Sequence, residues 1–374
     1  MTHVTVNGPV TIERTVYWSK ASGSVRPADR WLGIERHSVS PGVREMCSLE
    51  SLDSSFANVA RSLKRTAQLT LSEDRIRRVV EAEGRTVIRA QRCGAIAASF
   101  TAKDCSDGVM VSGSDGVFVP VVPEIQKARR RATEAAKRKA EGRRSTRRRG
   151  RPKKGADGEC KEAKVLAFYN QDKSKTHVSA TLGDCIELGR MMRREGRKVK
   201  LHEAKFSYSV TDGAKWIRRQ YRLNLPMLGA NILDWYHFKE HVVETSHAVY
   251  GEAGPKAGQW QRKMLEAAWD HGSLMMLHQL APYVRRHTGE SRESLEALRG
   301  YVEPRISMTD YPSFRDSGYD CGSGPTESQC GTLTARVKGA GMRWDSDNVE
   351  SMLALSALDH SQQWTAYWKL QRAA

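Results

Sequence analysis

No stretch of the 374 residues stays apolar over the roughly 18 positions that a membrane-spanning helix needs. The first ten, Met1 to Val10, show no basic region followed by an apolar one, so no secretory leader is read there. Cysteine is sparse: the seven stand at 47, 93, 105, 160, 185, 321 and 330, odd in number and nowhere as C-x2-C. That scatter argues against a disulfide framework and against a structural zinc site. The expectation is a cytoplasmic protein with reduced thiols and no membrane partner. No internal repeat is visible. Acidic residues are outnumbered, 43 against 61 Lys and Arg, for a net charge of +18. The isoelectric point near 9.7 rules against an acidic solvating protein and points to a polyanion partner. The length suits two or three domains, or one large domain with insertions, and is ample for a core without disulfides.

The excess charge is concentrated. Residues 127–154 hold fifteen Lys and Arg against two acids, Glu134 and Glu141, and so carry +13 of the +18. The Ala-, Lys-, Arg- and Glu-rich part up to Gly142 suits a helix. From Arg143 to Gly155 no residue can bury, and the segment is expected to be disordered when unbound. It contains Arg147, Arg148, Arg149, Gly150, Arg151, Pro152, Lys153 and Lys154. The Arg-Gly-Arg-Pro core resembles an AT-hook. Glycine lets the backbone approach, and two arginines enter a narrow minor groove of enhanced negative potential. The other reading is a general polybasic stretch that binds any nucleic acid through counterion release.

Along the chain, Val4 to Trp18 alternates like strands around a turn at Asn7-Gly8-Pro9, and Ser19 to Arg30 reads as a loop. Ser40-Pro41 opens a helix with Ser40 as its cap. A second helix is expected over Ser54 to Arg65. A third opens at Ser72, with Glu73 and Asp74 in its first turn. Two short helices followed by a basic third one, which carries Arg75, Arg77 and Arg78, look like a helix-turn-helix reader of DNA. A plain helical bundle with solvated arginines is the alternative. From Gly108 the period becomes strand-like, and Val109 to Val122 reads as a hairpin turning near Asp115-Gly116. Strands follow at Lys164 to Tyr169 and His177 to Leu182. Next comes a helix over Asp184 to Arg197, whose apolar face holds Ile186, Leu188, Met191 and Met192. Then come a strand over Phe206 to Thr211, a helix over Ala214 to Tyr221 and a strand over Ala230 to Leu233. Residues 238–310 read as almost pure helix. A late helix carries Thr326-Glu327, and a C-terminal helix starts at Asp347.

With the insertions set aside, three hairpin-like strands precede a helix, a strand, a helix, a strand and a late helix. Asp115 stands beside the first strand turn, Asp212 ends a later strand, and Glu327 sits in the first turn of the late helix. The fold class expected is α/β: a ribonuclease-H-like mixed-sheet core with an α-helical insertion and an N-terminal helical, helix-turn-helix-like region. In such a core, strand ends and one helix start can gather carboxylates that are distant in sequence.

Several ordered motifs carry a family resemblance. They are Asp115-Gly116-x-Phe118-Val119-Pro120, Thr211-Asp212-Gly213-Ala214-Lys215-Trp216-Ile217 and Leu233-Asp234-Trp235-Tyr236-His237-x-x-Glu240-His241. To these are added Gly322-Ser323-Gly324-Pro325-Thr326-Glu327-Ser328 and Lys338-Gly339-x-Gly341-Met342-Arg343-Trp344. Near the start, Pro27-x-Asp29-x-x-Leu32-Gly33 and Ser40-Pro41-Gly42-Val43-Arg44-Glu45 belong to the same set. Together they resemble the bacterial insertion-sequence transposases of the DDE type, most closely the ISKra group, which is related to the Mutator-like transposases. The resemblance implies Asp115, Asp212 and Glu327 as catalytic, metal-binding residues, with Asp234 and His237 in support. Asp107 is a rival for the first position and Asp234 for the second. An Asp-Gly pair is also a common turn. The resemblance further implies two Mg²⁺ (or Mn²⁺) ions, hard cations suited to carboxylate oxygens, which assist DNA cleavage and strand transfer. The partners implied are double-stranded DNA (terminal inverted repeats and target) and a second copy of the chain. Many relatives carry a Cys pair near the position of Tyr17 to Ser24. This chain has none, so no zinc is expected.

Two other functions stay open. One is a non-catalytic DNA-binding protein derived from such an enzyme. The other is a zinc metallopeptidase, because His237-Phe238-Lys239-Glu240-His241 matches H-x-x-E-H. The expected organisation is a small segment over 1–50, a DNA-binding region over 51–96 and the core over 100–240 with a basic insertion at 127–155. A helical insertion over 241–318 and core completion over 319–374 follow. The basic segment yields a first prediction. Deleting residues 143–154 flattens the salt dependence of DNA binding in a filter-binding series, because fewer counterions are released. An unchanged slope removes the segment from the interface.

Overall fold

A computed structural model describes residues 2–21, 23–31, 34, 38–143, 154–252 and 254–373. Leu32, Gly33 and the AT-hook-like residues, with Arg147, Arg148, Arg149, Arg151 and Lys153, lie outside the described residues.

The chain starts with two small hairpins, β1 (Thr2–Thr5) with β2 (Gly8–Thr11) and β3 (Tyr17–Ser19) with β4 (Gly23–Val25). The second occupies what the Ser/Gly-rich composition reads as loop. A short α1 (Pro27–Trp31) leads to α2 (Pro41–Glu50), α3 (Phe56–Thr66) and α4 (Glu73–Arg92). Their starts follow the expected chemistry: the hydroxyls of Ser40, Ser55 and Ser72 each accept a backbone N–H three residues on.

The central sheet corrects one expectation. Val109–Pro120 is a single 12-residue strand, β5, and not a hairpin. Asp115-Gly116 lies within it, with Asp115 opposite Val165. Pairing with β6 on one side, continued through to Pro120, keeps the backbone extended where local sequence alone suggests a turn. After β5 come α5 (Glu124–Ala140), β6 (Cys160–Asn170), β7 (Thr176–Thr181) and α6 (Cys185–Lys198). Then follow β8 (Phe206–Thr211), α7 (Lys215–Asn224) and β9 (Ala230–Leu233). The strand order is β7-β6-β5-β8-β9. The first three strands pair antiparallel, while β8 joins β5, and β9 joins β8, in parallel. This mixed order is the ribonuclease-H-like α/β fold.

Side chains alternate across the sheet as strand geometry demands. In β6, Val165, Ala167 and Tyr169 face a core shared with α2, α3 and α4 and the C-terminal helices. Leu166 and Phe168 face the other way, onto Leu188, Met191 and Met192 of α6 and Ile217 and Tyr221 of α7. Ile186, expected on the apolar face of α6, is exposed instead.

After β9 the chain forms α8 (Trp235–Tyr250), α9 (Pro255–His271), α10 (Ser273–Arg286) and α11 (Gly289–Val302). A 3-10 turn, Glu303–Met308, and α12 (Tyr311–Asp316) follow. Trp235, Phe238, Trp269 and Tyr311 make an aromatic cluster at the root of this insertion. The Tyr311 hydroxyl donates to the Leu233 carbonyl at 3.2 Å and so ties the insertion to the end of β9. The chain closes with α13 (Gly324–Ala335), α14 (Ser346–His360) and α15 (Trp364–Ala373). The backbone of α4 touches α14 so closely at Gly84 that an added Cβ would lie 2.4 Å from the Ser351 carbonyl oxygen. The helices of residues 51–96 are therefore built onto the same core as the sheet. Among the described residues, no helix is long and apolar enough to cross a membrane.

One buried ion cluster secures α6 to the sheet edge. Glu195 of α6 is within 2.9 Å of His177 Nε2 on β7, and 2.7 Å from both Lys198 Nζ and Arg194 Nε. Burial alone raises a carboxyl pKa. Here the hydrogen bond and charge of His177, then the charges of Lys198 and Arg194, outweigh burial and lower Glu195 to about 2. Its stabilising effect is present above the ordinary glutamate range and is lost as pH falls toward that lowered value. Glu195→Gln is thus expected to cost about 3–5 kcal/mol near neutrality in urea unfolding, because it strands buried cations. The gap to wild type should close on acidification; a gap that widens would contradict this sign.

Candidate active site

Three aspartates stand at the carboxyl end of the parallel part of the sheet. Gly113 of β5 pairs with Val210, and Asp115 follows two residues later. Asp212 comes directly after Thr211, the last residue of β8, and Asp234 directly after Leu233, the last of β9. Parallel register alone therefore sets the three side by side. Each carboxylate is braced by a nearby backbone N–H: Gly116 to Asp115 at 2.6 Å, Ala214 to Asp212 at 2.9 Å and Tyr236 to Asp234 at 2.9 Å. Past Asp212 the chain turns at Gly213, whose φ of +68° suits glycine. Its carbonyl accepts from Arg305 Nε and Nη2 at 3.2 and 3.0 Å. Arg305 belongs to the 3-10 turn of the helical insertion and lies over the Tyr301 ring at 4.0 Å.

The fourth carboxylate arrives on α13. Pro325 sits at the start of this helix, and Glu327 lies in its first turn, where the helix dipole favours an anion. Thr326 packs on β5 at Gly113: an added Cβ there would lie 1.7 Å from Thr326 Oγ1. Cys330, one turn beyond Glu327, points its thiol at Asp115 Oδ2, 3.8 Å away. α13 therefore faces Asp115 and Asp234 together.

Ser323 connects the acids. Its hydroxyl contacts Asp234 Oδ2 and lies 2.6 Å from Glu327 Oε1. One hydroxyl hydrogen cannot serve two carboxylates, so the pair needs an extra proton or a cation. His237, one turn into α8, places Nδ1 3.8 Å from Asp234 Oδ2. One ligand atom from each of Asp234, His237 and Glu327 can lie within 4.8 Å of the other two. Among the described residues this is the group of His, Cys, Asp and Glu placed to hold a metal ion.

Electrostatics ties Asp115 and Asp212 to the same place. Burial pushes the Asp115 carboxyl above the usual aspartate range, and the charge of Asp212 pushes it further. Burial also raises Asp234, and the charge of Glu327 adds to that shift. The Cys330 thiol is pushed up by burial and then by Asp115, which makes it a poor nucleophile.

Asp115, Asp212, Asp234, His237 and Glu327 thus converge. The basic residues read as DNA contacts are placed differently. Arg75 donates to Ser38, Arg77 pairs with Asp74 and Glu81, and Arg78 pairs with Asp74. Lys154 is exposed. Asp107, the rival for the first position, accepts from the Val109 N–H in a loop. His241 lies against Tyr301, at 3.7 Å between ring centroids, and takes no part in the metal-holding group. Sequence reasoning does not single out Ser323, Cys330 or Arg305. A serine four residues before a helical acid is the single local signal for Ser323; the other two carry none.

No family model matches the chain, and no curated protein matches it. A solved structure, the Drosophila P element transposase strand transfer complex, is similar at 9% identity with a TM-score of 0.39. That match covers 89% of this chain and 94% of that one.

The close approach of α13 to β5 is testable. Gly113→Ala is expected to lower stability by about 1–3 kcal/mol, the usual cost of overpacking. Adding Thr326→Ala should recover part of the loss in urea melts of the double variant. Strictly additive losses would show that the two residues do not meet.

Proposed function

We propose that this chain is a DNA transposase of the DDE type, similar to the ISKra group, which cuts and joins phosphodiester bonds at Asp115, Asp212 and Glu327. The observation that carries the reading is the convergence of acids from β5, β8, β9 and α13 at one end of a ribonuclease-H-like sheet. The motifs that suggest the family are the same ones that supply these acids.

The donor set fits a pair of divalent cations. It offers carboxylate oxygens, which Mg²⁺ and Mn²⁺ prefer. Burial and mutual repulsion raise the pKa of Asp115 and Asp234, a strain that cations relieve. Ser323, shared between two carboxylates, independently shows a deficit of positive charge. Asp115, Asp212 and Glu327 would hold the ions, with Asp234 and His237 beside them. When bound, such ions supply Lewis-acid chemistry that offsets charge on the attacking and leaving oxygens of a phosphodiester.

The rest falls to the protein's own groups. Arg305, through the Gly213 carbonyl, fixes the turn that aims Asp212. Asp234 orients Ser323, and Ser323 orients Glu327. His237 is partly exposed and can hold a proton on Nδ1, facing Asp234. The open side at Glu327 admits the DNA backbone. Double-stranded DNA is the substrate in this reading, and joining two element ends calls for two copies of the chain.

Asp212→Asn is expected to lower cleavage and joining in a plasmid strand-transfer assay by more than about 100-fold, the scale of removing one group that stabilises a transition state electrostatically. DNA binding should persist. Joining at the wild-type rate would overturn the site, and wild-type protein inert with every divalent ion would favour a DNA-binding descendant. Protons compete with cations for Asp115 and Asp234, whose pKa values are raised. As the pH is lowered, Mn²⁺ affinity measured by calorimetry should therefore begin to weaken while still above the range of ordinary carboxylates. A flat profile there would count against these ligands.

A further inference from the structure

Helix α7 begins three residues after Asp212 and carries Lys215, Arg218, Arg219 and Arg222 with no acid. The four line a cleft of about 550 Å³, whose opposite wall includes Pro304 and Met308. They are spaced at i, i+3, i+4 and i+7, so they share one side of the helix. Like charges at this spacing weaken a helix. Among the described residues, none of the four makes an ion pair, whereas Arg77 and Arg78 of α4 are held by acids on their own helix. Arg218 Nη1 donates to the Pro304 carbonyl at 2.8 Å, while its buried Nε has no partner. Arg218 also neighbours Arg305, the residue that braces the turn after Asp212.

We infer that this cleft is the seat of the DNA strand's phosphodiester backbone as it leads into the carboxylate cluster. The inference rests on the transposase reading and gives it a binding surface. The row from Lys215 to Arg222 spans about 10 Å at 1.5 Å per residue. That is the axial length of about three nucleotides of one strand. Phosphates fit a row of unpaired cations, and the exposed Pro304 on the facing wall offers an apolar surface to the sugars. The position matters as much as the charge. A strand held along α7 enters the cluster next to Asp212, where repulsion from the acids is partly offset by Arg218 and Arg305.

The test uses the full chain and a fluorescein-labelled DNA duplex, followed by anisotropy across a sodium chloride series without divalent ions. Arg219→Gln/Arg222→Gln removes two exposed charges. It is expected to weaken binding and reduce the slope of log K against log salt by about 2, close to one for each phosphate no longer neutralised. Arg285→Gln/Arg286→Gln, an equal loss of exposed charge at the end of α10, should leave the slope unchanged. An unchanged slope in the first variant, or an equal fall in the second, would overturn the proposal. If the α7 variant melts below wild type, Arg219→Lys/Arg222→Lys decides: it keeps both charges and must restore the slope. Failure to restore it overturns the cleft. Because no divalent ion is present, the outcome is independent of cleavage. A slope that does not change in the α7 variant while the wild type cleaves removes the cleft alone. A slope that falls while the wild type never cleaves keeps the cleft and removes the catalytic reading.

Discussion

The contact between Thr326 and Gly113 sets the distance between a helix and a strand that are far apart in the chain. No side chain on β5 intervenes, so α13 lies directly against the sheet. Cys330 reaches Asp115 and Ser323 reaches Asp234 as a consequence of that approach. Packing here works against electrostatics: burial and mutual charge both disfavour ionised acids at this spot. The close packing of the helix on the strand holds them together there.

Cations are arranged around that crowding in two ways. On α4 the arginines find acids one turn away, and on α6 a buried glutamate gathers a histidine, a lysine and an arginine. In those clusters every cation has an acid beside it, and they hold the fold. Along α7 the balance is missing, and the deficit of negative charge there adjoins an excess of it at the strand ends. Opposite imbalances side by side are what the proposed function requires, with phosphate held at one and the strand cut at the other.

The helices and most strands are legible in the sequence because their signals are local. Serine caps, apolar stripes and β-branched runs act within a few residues, and Ser40, Ser55, Ser72 and Asp184 mark their helix starts. Strand β5 is not legible at Asp115-Gly116, because that pair favours a turn and only its pairing with the distant β6 holds it straight. Asp212, Asp234 and Glu327 are visible as residues placed after strands and at a helix start, whereas Asp115 lies inside its strand. Their bracing is not. Arg305 reaches Gly213 from the far end of the helical insertion, and nothing in the spacing of the two announces it. Composition likewise counts arginines without saying which ones acids neutralise.

The remote origin of α13 has a consequence for timing. A nascent chain emerging from the ribosome can pair β5 through β9 and expose the cationic row of α7 before α13 has been made. Until then Asp115 and Asp234 have no glutamate facing them, and the strand ends stay incomplete. On the proposed function, the growing polypeptide would therefore acquire its grip on nucleic acid before its blade, and a prematurely terminated product would be left to occupy DNA ends without severing them.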